Sequence, residues 1–278
     1  MPVAERVYEI GGGHPSRTVA DEEQAVKGFL TSFLEWFGDL GRFCVRLGRA
    51  AVSPPYEWKE LLRQMDEIGT KSLPLVALAG AAIGVVLALH TQESLARFGA
   101  KSLLPTVIFL SLVKESGPII TALVVSGRVG AGIGAELGSM KVTEQIDAIE
   151  ASAVDPWKLL VATRVLAATL MLPLLTIVAD FCGIMMGWVT SRLAEPMPFR
   201  LYIYNGFESL MFDDLFPATF KTLVFGLLIG LIGCFQGMRT SGGTEGVGRA
   251  ATSAVVLSSL FVILADVVLV KLIITILK

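Results

Sequence analysis

Two charged residues, Lys114 and Glu115, stand side by side within the long apolar run LLPTVIFLSLVKESGPIITALVVSG. If this run crosses a bilayer, each charge at its centre costs on the order of 2.5–3.5 kcal/mol on insertion scales. Neighbouring side chains point about 100° apart on a helix, which favours a shared water-filled cavity over mutual pairing. Ion pairs with neighbouring helices are the alternative. Asp180 and Asp266 also lie in apolar runs; either could pair with Lys114, or be hydrogen-bonded or protonated, and Pro118 predicts a kink.

Histidine and cysteine are too few and too scattered for the common catalytic and metal sites. His14 and His90 are the two histidines, which argues against a histidine metal site or a catalytic triad. Cys44, Cys182 and Cys234 lie far apart, a pattern that predicts buried thiols rather than a disulfide. We therefore expect no catalytic residues, no metal site, no cofactor and no enzyme activity in this chain.

The glycine-rich runs predict close packing and turns rather than nucleotide binding. Gly130, Gly134 and Gly138 form a tandem GxxxG, which lets two membrane helices approach closely. The same run matches a dinucleotide loop, but no strand precedes it. The later GGTEGVGRA resembles a phosphate loop in which Arg249 and Ala250 replace the required Lys and Ser/Thr. We therefore interpret it as a tight glycine-rich connection and not as an ATP site.

These features must be positioned by membrane-spanning helices. The chain has 278 residues, of which 53% are hydrophobic and 17% charged, against about 25% charged in soluble domains. A span needs roughly 20 apolar residues. The sequence predicts five: about 70–90, 103 to beyond 127, 159–190, 215–235 and 253–277.

The distribution of Lys and Arg predicts the orientation. Segments 1–71, 128–164 and 236–252 carry 15 of them, whereas segments 91–102 and 191–214 carry four. We therefore expect the N-terminus in the cytoplasm and the C-terminus outside. Lys221 and Lys271 lie near span ends and are expected to snorkel. Residues 192–217 should form a small outer structure with a short helix.

The segment before the first span predicts an amphipathic helix on the cytoplasmic leaflet. Between residues 24 and 52, apolar side chains recur at helical spacing beside a basic stripe of Arg42, Arg46 and Arg49. A soluble helix packed on a partner is the alternative. We divide the chain into a cytoplasmic tail (1–23), interfacial amphipathic helices (24–69) and a membrane domain (70–278).

A short acidic helix is predicted within KVTEQIDAIEASAVDP, between the second and third spans. Thr143 can cap a helix that begins at Glu144, and Asp155-Pro156 should end it, with Asp155 capping the next helix. Ile146 and Ile149 fall on one face, and Glu144 and Asp147 on the other. The pattern predicts a rigid helix across the cytoplasmic surface; a solvated loop helix is the alternative.

The strings VKESGPIITALVVSGRVG, GAELGSMKVTEQIDAIEASAVDPWKLLVATRVLA and TSGGTEGVGRAAT resemble the MlaE/YrbE-type permeases of lipid-transporting ABC systems. The resemblance covers about residues 70–278 and leaves out 1–25. It implies a coupling helix that docks on a separate ABC ATPase, formed by Thr143, Glu144, Gln145, Ile146, Asp147 and Ile149.

The resemblance also implies partners and a substrate cavity. The expected partners are a second permease copy or a paralogue, two ATPase subunits and an outer ring of MCE-domain proteins. Lys114 and Glu115 match the family's charged pair in a lipid cavity. That pair is often Arg-Glu, so Lys114 keeps the charge but loses bidentate binding.

We therefore expect an all-α integral membrane protein with five transmembrane helices, an interfacial helix before them and a coupling helix between spans two and three. It would be the permease subunit of an ABC transporter in the bacterial inner membrane, moving phospholipid-like lipids to or from an MCE protein. The alternative is a self-contained ion-coupled secondary transporter or channel, with Glu115, Asp180 and Asp266 as a proton relay. Such a carrier needs no docking element, so the acidic helix argues against it.

Overall fold

The computed structural model describes residues 19–54, 56–194 and 197–276. Within these ranges the chain contains eight helices and no strand. They are α1 (Val19–Val52), α2 (Trp58–Arg97), α3 (Lys101–Val142), α4 (Gln145–Ala151), α5 (Trp157–Leu193), α6 (Phe199–Glu208), α7 (Phe212–Met238) and α8 (Gly243–Ile276). The chain divides into two units, Met1–Val45 and Arg46–Lys278. Most of the predicted tail, 1–23, lies outside the described residues.

Five helices are long and apolar enough to cross a membrane: α2, α3, α5, α7 and α8. The five predicted spans are therefore confirmed. The helices are longer than predicted because they continue beyond the apolar runs; α2, for example, already begins at Trp58. Within the predicted interfacial region 24–69 the chain forms most of α1, a break near Pro54 and the start of α2. Its location at a membrane surface stays a prediction.

Small residues bring α2 and α5 together. A Cβ atom added at Gly80 would lie 2.7 Å from the Cα of Ala179, and one at Gly84 would lie 2.7 Å from the Cα of Gly183. Side chains larger than hydrogen are therefore excluded at both positions. In lipid, where helices gain little from burying apolar surface, such close backbone contact supplies much of the association.

The tandem glycines of α3 lie where this helix meets α8 and the turn before it. A Cβ at Gly130 would lie 3.3 Å from Ser258 Oγ, and one at Gly134 would lie 3.1 Å from Ala254 Cβ. At Gly138 it would lie 2.7 Å from Thr240 Oγ1. The turn itself depends on Gly242 at φ +88°. Since α8 begins at Gly243, most of GGTEGVGRA is helical and not the glycine-rich connection that the sequence predicted.

The predicted short helix between the third and fourth spans is α6. It is anchored by Tyr202, which is 0% exposed and stacks edge-on against Phe109 of α3 at 5.7 Å between ring centroids. Burial raises the pKa of the Tyr202 hydroxyl. Phe207 contacts the same Phe109 ring at 5.3 Å between centroids but stays largely exposed, as does Tyr204. Its placement outside the membrane stays a prediction.

Candidate functional site

Helix α3 contains two π turns, Leu112–Ser116 and Ser126–Gly130. The first holds Lys114 and Glu115 and ends two residues before Pro118. Proline has no N–H to donate to the carbonyl four residues earlier, so the carbonyl oxygen of Lys114 is left free of that helical hydrogen bond. The N–H of Gly117 donates to Leu112 O instead. Single π turns of this kind are frequent at functional sites.

Lys221 of α7 is the centre of a charged cluster inside the helix bundle. Its side chain is 2% exposed. The ammonium donates to Glu115 Oε2 at 2.8 Å and to the free carbonyl of Lys114 at 3.4 Å. It also forms an ion pair with Asp266 Oδ1 of α8 at 2.7 Å, outside hydrogen-bonding angles. The prediction that Lys221 snorkels is therefore wrong, because its amine turns inward to two carboxylates.

Lys114 pairs with another helix rather than with its neighbour Glu115. Its Nζ lies 2.7 Å from Asp214 Oδ1 of α7. The side chains of Lys114 and Glu115 nevertheless remain 46% and 47% exposed. Lys114 and Glu115 therefore form ion pairs with a neighbouring helix, and they also leave a polar surface accessible. We call Lys114, Glu115, Asp214, Lys221 and Asp266 the Lys221 cluster.

The Lys221 cluster does not lie at the middle of its helices. Lys114 is about one third of the way along the 42-residue α3, and Asp214 lies in the first turn of α7. Asp266 lies ten residues before the end of α8 at Ile276. Helix α3 extends much further beyond Lys114 and Glu115 toward Val142 than before them; that the two residues lie at the middle of the membrane stays a prediction.

Asp180 of α5 does not pair with Lys114. It is half-buried, and its Oδ1 is buried and has no hydrogen-bond partner in the described structure. The carboxyl group instead lies against the backbone of Gly117, where an added Cβ would overlap with Oδ1. Asp180 therefore contacts the end of the first π turn without joining the Lys221 cluster.

The predicted acidic helix between spans two and three is α4. Ile146 is buried at 4% exposure, while Gln145, Asp147 and Glu150 are exposed. Asp147 Oδ1 lies 3.1 Å from Lys141 Nζ at the end of α3. A single apolar anchor thus holds a helix whose polar face points away from the protein.

Both ends of α4 differ from the prediction. Glu144 has a left-handed backbone with φ +57°, so the helix begins at Gln145. The Thr143 hydroxyl donates to Ser139 O at 2.8 Å and does not cap α4. The helix ends at Ala151, before left-handed Ala153, rather than at Asp155. Asp155 does cap the following helix, since its Oδ1 accepts from the Trp157 N–H at 2.9 Å.

A groove of about 540 Å³ lies beside α4. Residues of α2, α3, α4 and α5 line it: Glu60, Arg63, Glu136, Ser139, Met140, Gln145, Ile149, Leu159, Leu160 and Arg164. Arg164 is 2% exposed and donates to Glu136 Oε1 at 2.7 Å and to Leu160 O at 3.0 Å. This ion pair joins α3 to α5, the two helices that flank α4.

Comparison with known proteins identifies the family. The family model Permease MlaE matches residues 61–272. A probable ABC transporter permease protein of Rickettsia typhi is 39% identical over 221 residues, covering 80% of this chain and 85% of the relative. A probable ABC transporter permease protein of Synechocystis is 36% identical over 208 residues, covering 75% and 79%. The chain belongs to the MlaE permease family.

A third relative is the Arabidopsis thaliana protein TRIGALACTOSYLDIACYLGLYCEROL 1, chloroplastic. It is 30% identical over 275 residues, covering 92% of this chain and 77% of the relative. Together with the five apolar helices, family membership makes this MlaE permease a multi-pass membrane protein and the permease subunit of an ABC transporter. Among its described residues, no cluster of His, Cys, Asp or Glu could hold a metal ion.

Sequence reasoning missed four of the charged residues that build these sites in the MlaE permease: Asp214, Lys221, Glu136 and Arg164. A signal was present for Lys221, which lies six residues inside an apolar run that starts at Leu215. A lysine that deep in a span needs a buried partner. Arg164 and Glu136 carry no such signal, since 28 residues separate them in the chain and only the packing of α3 on α5 brings them together.

Proposed function

We propose that this permease subunit moves phospholipid-like lipids between the bacterial inner membrane and an MCE-domain protein on the outer side, driven by a separate ATPase. The observation that carries the proposal is the Lys221 cluster on an otherwise apolar helix face. A lipid needs a polar site for its headgroup and apolar walls for its tails, and α3 offers both.

The walls follow from a stripe of half-exposed and exposed residues along α3. We call it the α3 stripe: Lys114, Glu115, Ile119, Ile120, Leu123, Val124, Gly127, Arg128, Ala131, Gly132, Ala135 and Glu136. Its residues recur every three to four positions, as the residues on one face of a helix do. Apolar and small residues separate its charged positions, which are Lys114 and Glu115 at one end, Arg128 between, and Glu136 at the other end. A second copy of the permease facing this stripe would enclose a cavity, so we propose a dimer.

The exposed face of α4 supports docking of an ATPase. Gln145, Asp147 and Glu150 present polar atoms, while Glu144 sets the direction of the helix. A push on α4 would reach α3 through the pair of Lys141 and Asp147, and would act on α3 and α5 together through Arg164 and Glu136. Closure of the ATPase dimer would thereby change the cavity.

The name of the Arabidopsis relative, which includes a galactosylated diacylglycerol, also favours a lipid substrate. A diacylglycerol-based substrate has two apolar tails and one polar head, the shape that suits the α3 stripe. This chain would then differ from its relative in headgroup and not in the principle of binding.

The proposed orientation can be tested by thiol labelling. With the N-terminus in the cytoplasm, α6 is outside and the α7–α8 turn is inside. A cysteine at the exposed position of Glu208 should react with a membrane-impermeant maleimide in intact cells, and one at Ser241 should react only after lysis. The opposite pattern would reject the orientation and with it the outer MCE partner.

The transport function itself is tested by reconstitution. The permease and its ATPase are placed in liposomes that contain fluorescent phosphatidylglycerol, and transfer to the soluble domain of the MCE protein is followed with and without ATP. We expect transfer that requires ATP hydrolysis. ATP-independent substrate movement that follows a proton gradient would instead favour the ion-coupled carrier.

A further inference from the structure

The second π turn of α3 contains an arginine that has no protein partner in the described structure. Arg128 lies in the turn Ser126–Gly130, which packs against α7 and α8. Its Nη1 atom is buried and makes no hydrogen bond. A guanidinium has five N–H donors and cannot lose its charge in proteins, so leaving it unmatched inside a span is costly.

Other cations of α3 are matched. Lys114 pairs with Asp214, and Lys141 pairs with Asp147. In the Lys221 cluster, two ammonium groups face three carboxyl groups. Every positive charge there already has an acidic partner, so the cluster has no cation to spare for an anionic headgroup. Arg128 does.

The position of Arg128 makes it reachable by a lipid. It belongs to the α3 stripe and lies 13 residues beyond Glu115, about 20 Å along the helix at 1.5 Å per residue. Apolar residues separate the two sites on the stripe: Ile119, Ile120, Leu123, Val124. The adjacent Gly127 is exposed and has open space where a side chain would be. Ser126 turns inward and bonds Ser259 of α8 at 2.7 Å. Arg128 is itself half-buried beside this open surface and the apolar track, with its Nη1 atom turned inward.

We infer that Arg128 binds the phosphate of a phospholipid headgroup. This inference rests on the proposed lipid transport. It places the anionic group at Arg128 and not at the Lys221 cluster. A planar guanidinium can donate two parallel hydrogen bonds to two phosphate oxygens, and a turn of the half-buried Arg128 side chain toward the open surface gives Nη1 the partner that it lacks. The acyl chains lie along the apolar part of the α3 stripe.

The test measures lipid binding to the purified full-length permease in detergent. The probes are fluorescent phosphatidylglycerol and a diacylglycerol that carries the same chains and label but no phosphate. Arg128→Gln should weaken phosphatidylglycerol binding by roughly tenfold to hundredfold, the effect of losing hydrogen bonds to a charged group. Arg128→Lys should retain part of the affinity, because it keeps the charge but not the bidentate geometry. Diacylglycerol binding should not change.

Arg97→Gln is the matched control, since Arg97 is exposed and paired with Glu93 at 2.5 Å. It should bind both lipids as the wild type does. Competition with inorganic phosphate separates the two possible sources of the anion. Phosphate at concentrations comparable to the lipid should not compete; if it does, the site belongs to free phosphate and the lipid assignment is wrong.

Several results would overturn the inference. Unchanged phosphatidylglycerol binding by Arg128→Gln would reject it while leaving the proposed function intact. Equal loss of both lipids would mean a structural role. Dissociation of a permease dimer by Arg128→Gln, measured by light scattering, with unchanged binding per chain would assign Arg128 to a carboxylate of the second copy. Wild-type protein that binds neither lipid would contradict the proposed function and the inference together.

Discussion

Helix α3 leads to two regions that are built in opposite ways. Toward its Lys101 end, the Lys221 ammonium is 2% exposed and is held by groups from α3 and α8. Beyond its Val142 end, α4 is held by one buried side chain, Ile146, and is bounded by left-handed Glu144 and Ala153. The buried Lys221 ammonium and the carboxylates that hold it depend on one another. Helix α4, in contrast, is exposed and is held in place mainly by its backbone.

This difference separates the effects expected from substitutions. A buried ion pair loses stability when one partner is removed, because the other charge stays behind without compensation. Exposed charges on a short helix contribute little to folding. We therefore expect changes in the Lys221 cluster to affect stability first, and changes on the surface of α4 to affect partner binding alone.

The largest effect is expected for Lys221→Met. It leaves Glu115 and Asp266 facing each other without a cation, which should destabilise the protein by about 3–5 kcal/mol. The double variant with Asp266→Leu should recover part of this loss, because it removes the more buried carboxyl group. Thermal unfolding in detergent, followed by tryptophan fluorescence, measures both. A single variant as stable as the double would contradict the proposed mutual dependence.

A smaller effect is expected for Lys114→Leu and Glu115→Leu. Both side chains are nearly half exposed, and each pairs with a different residue of α7. Their effects on stability should be modest, about 1 kcal/mol or less each, because both side chains are partly solvated and Lys221 keeps Asp266 as a partner. ATP-driven lipid transfer should fall in both. Stability that is restored in the double variant would show that the two residues depend on each other, against the observed pairing. Normal transfer by the double variant would remove both from the lipid site.

On α4, the double charge reversal Glu144→Lys and Asp147→Lys should leave the melting temperature unchanged while reducing the amount of ATPase that copurifies. The reason is that neither side chain is buried. Glu150→Lys, further along the same helix, is a comparison variant that should reduce the amount of copurified ATPase less. Wild-type ATPase yield together with retained transport would refute the coupling role.

The smallest effect concerns the backbone strain at Glu144. A non-glycine residue in the left-handed region costs about 1 kcal/mol or more, so Glu144→Gly should raise stability slightly, offset in part by the greater freedom of glycine when unfolded. Gln145→Gly is the matched control in the first turn of α4 and should lower stability by about 1 kcal/mol. Equal shifts for the two variants would argue against strain at Glu144.

The sequence predicts the part of this architecture that depends on local pattern. Five apolar runs and the acidic stretch before Asp155 are sufficient to place five spans and one short helix. Pairing is a tertiary property, so Lys221 could be placed in a span but not assigned to Glu115 and Asp266. The left-handed backbone of Glu144 could not be predicted either, because a glutamate does not favour that conformation. Thr143 also offered a plausible helix cap, which the chain does not use.

The central claim is that α4 is the contact between this permease and an ATPase on the cytoplasmic side. Asp147→Cys in the assembled transporter, coupled to a short thiol-linked photo-crosslinker, tests it most directly, with Glu208→Cys on α6 as the comparison site. We predict an adduct with the ATPase from position 147 and none from position 208. An intact complex that yields no adduct at position 147, or yields one at position 208, would contradict the account.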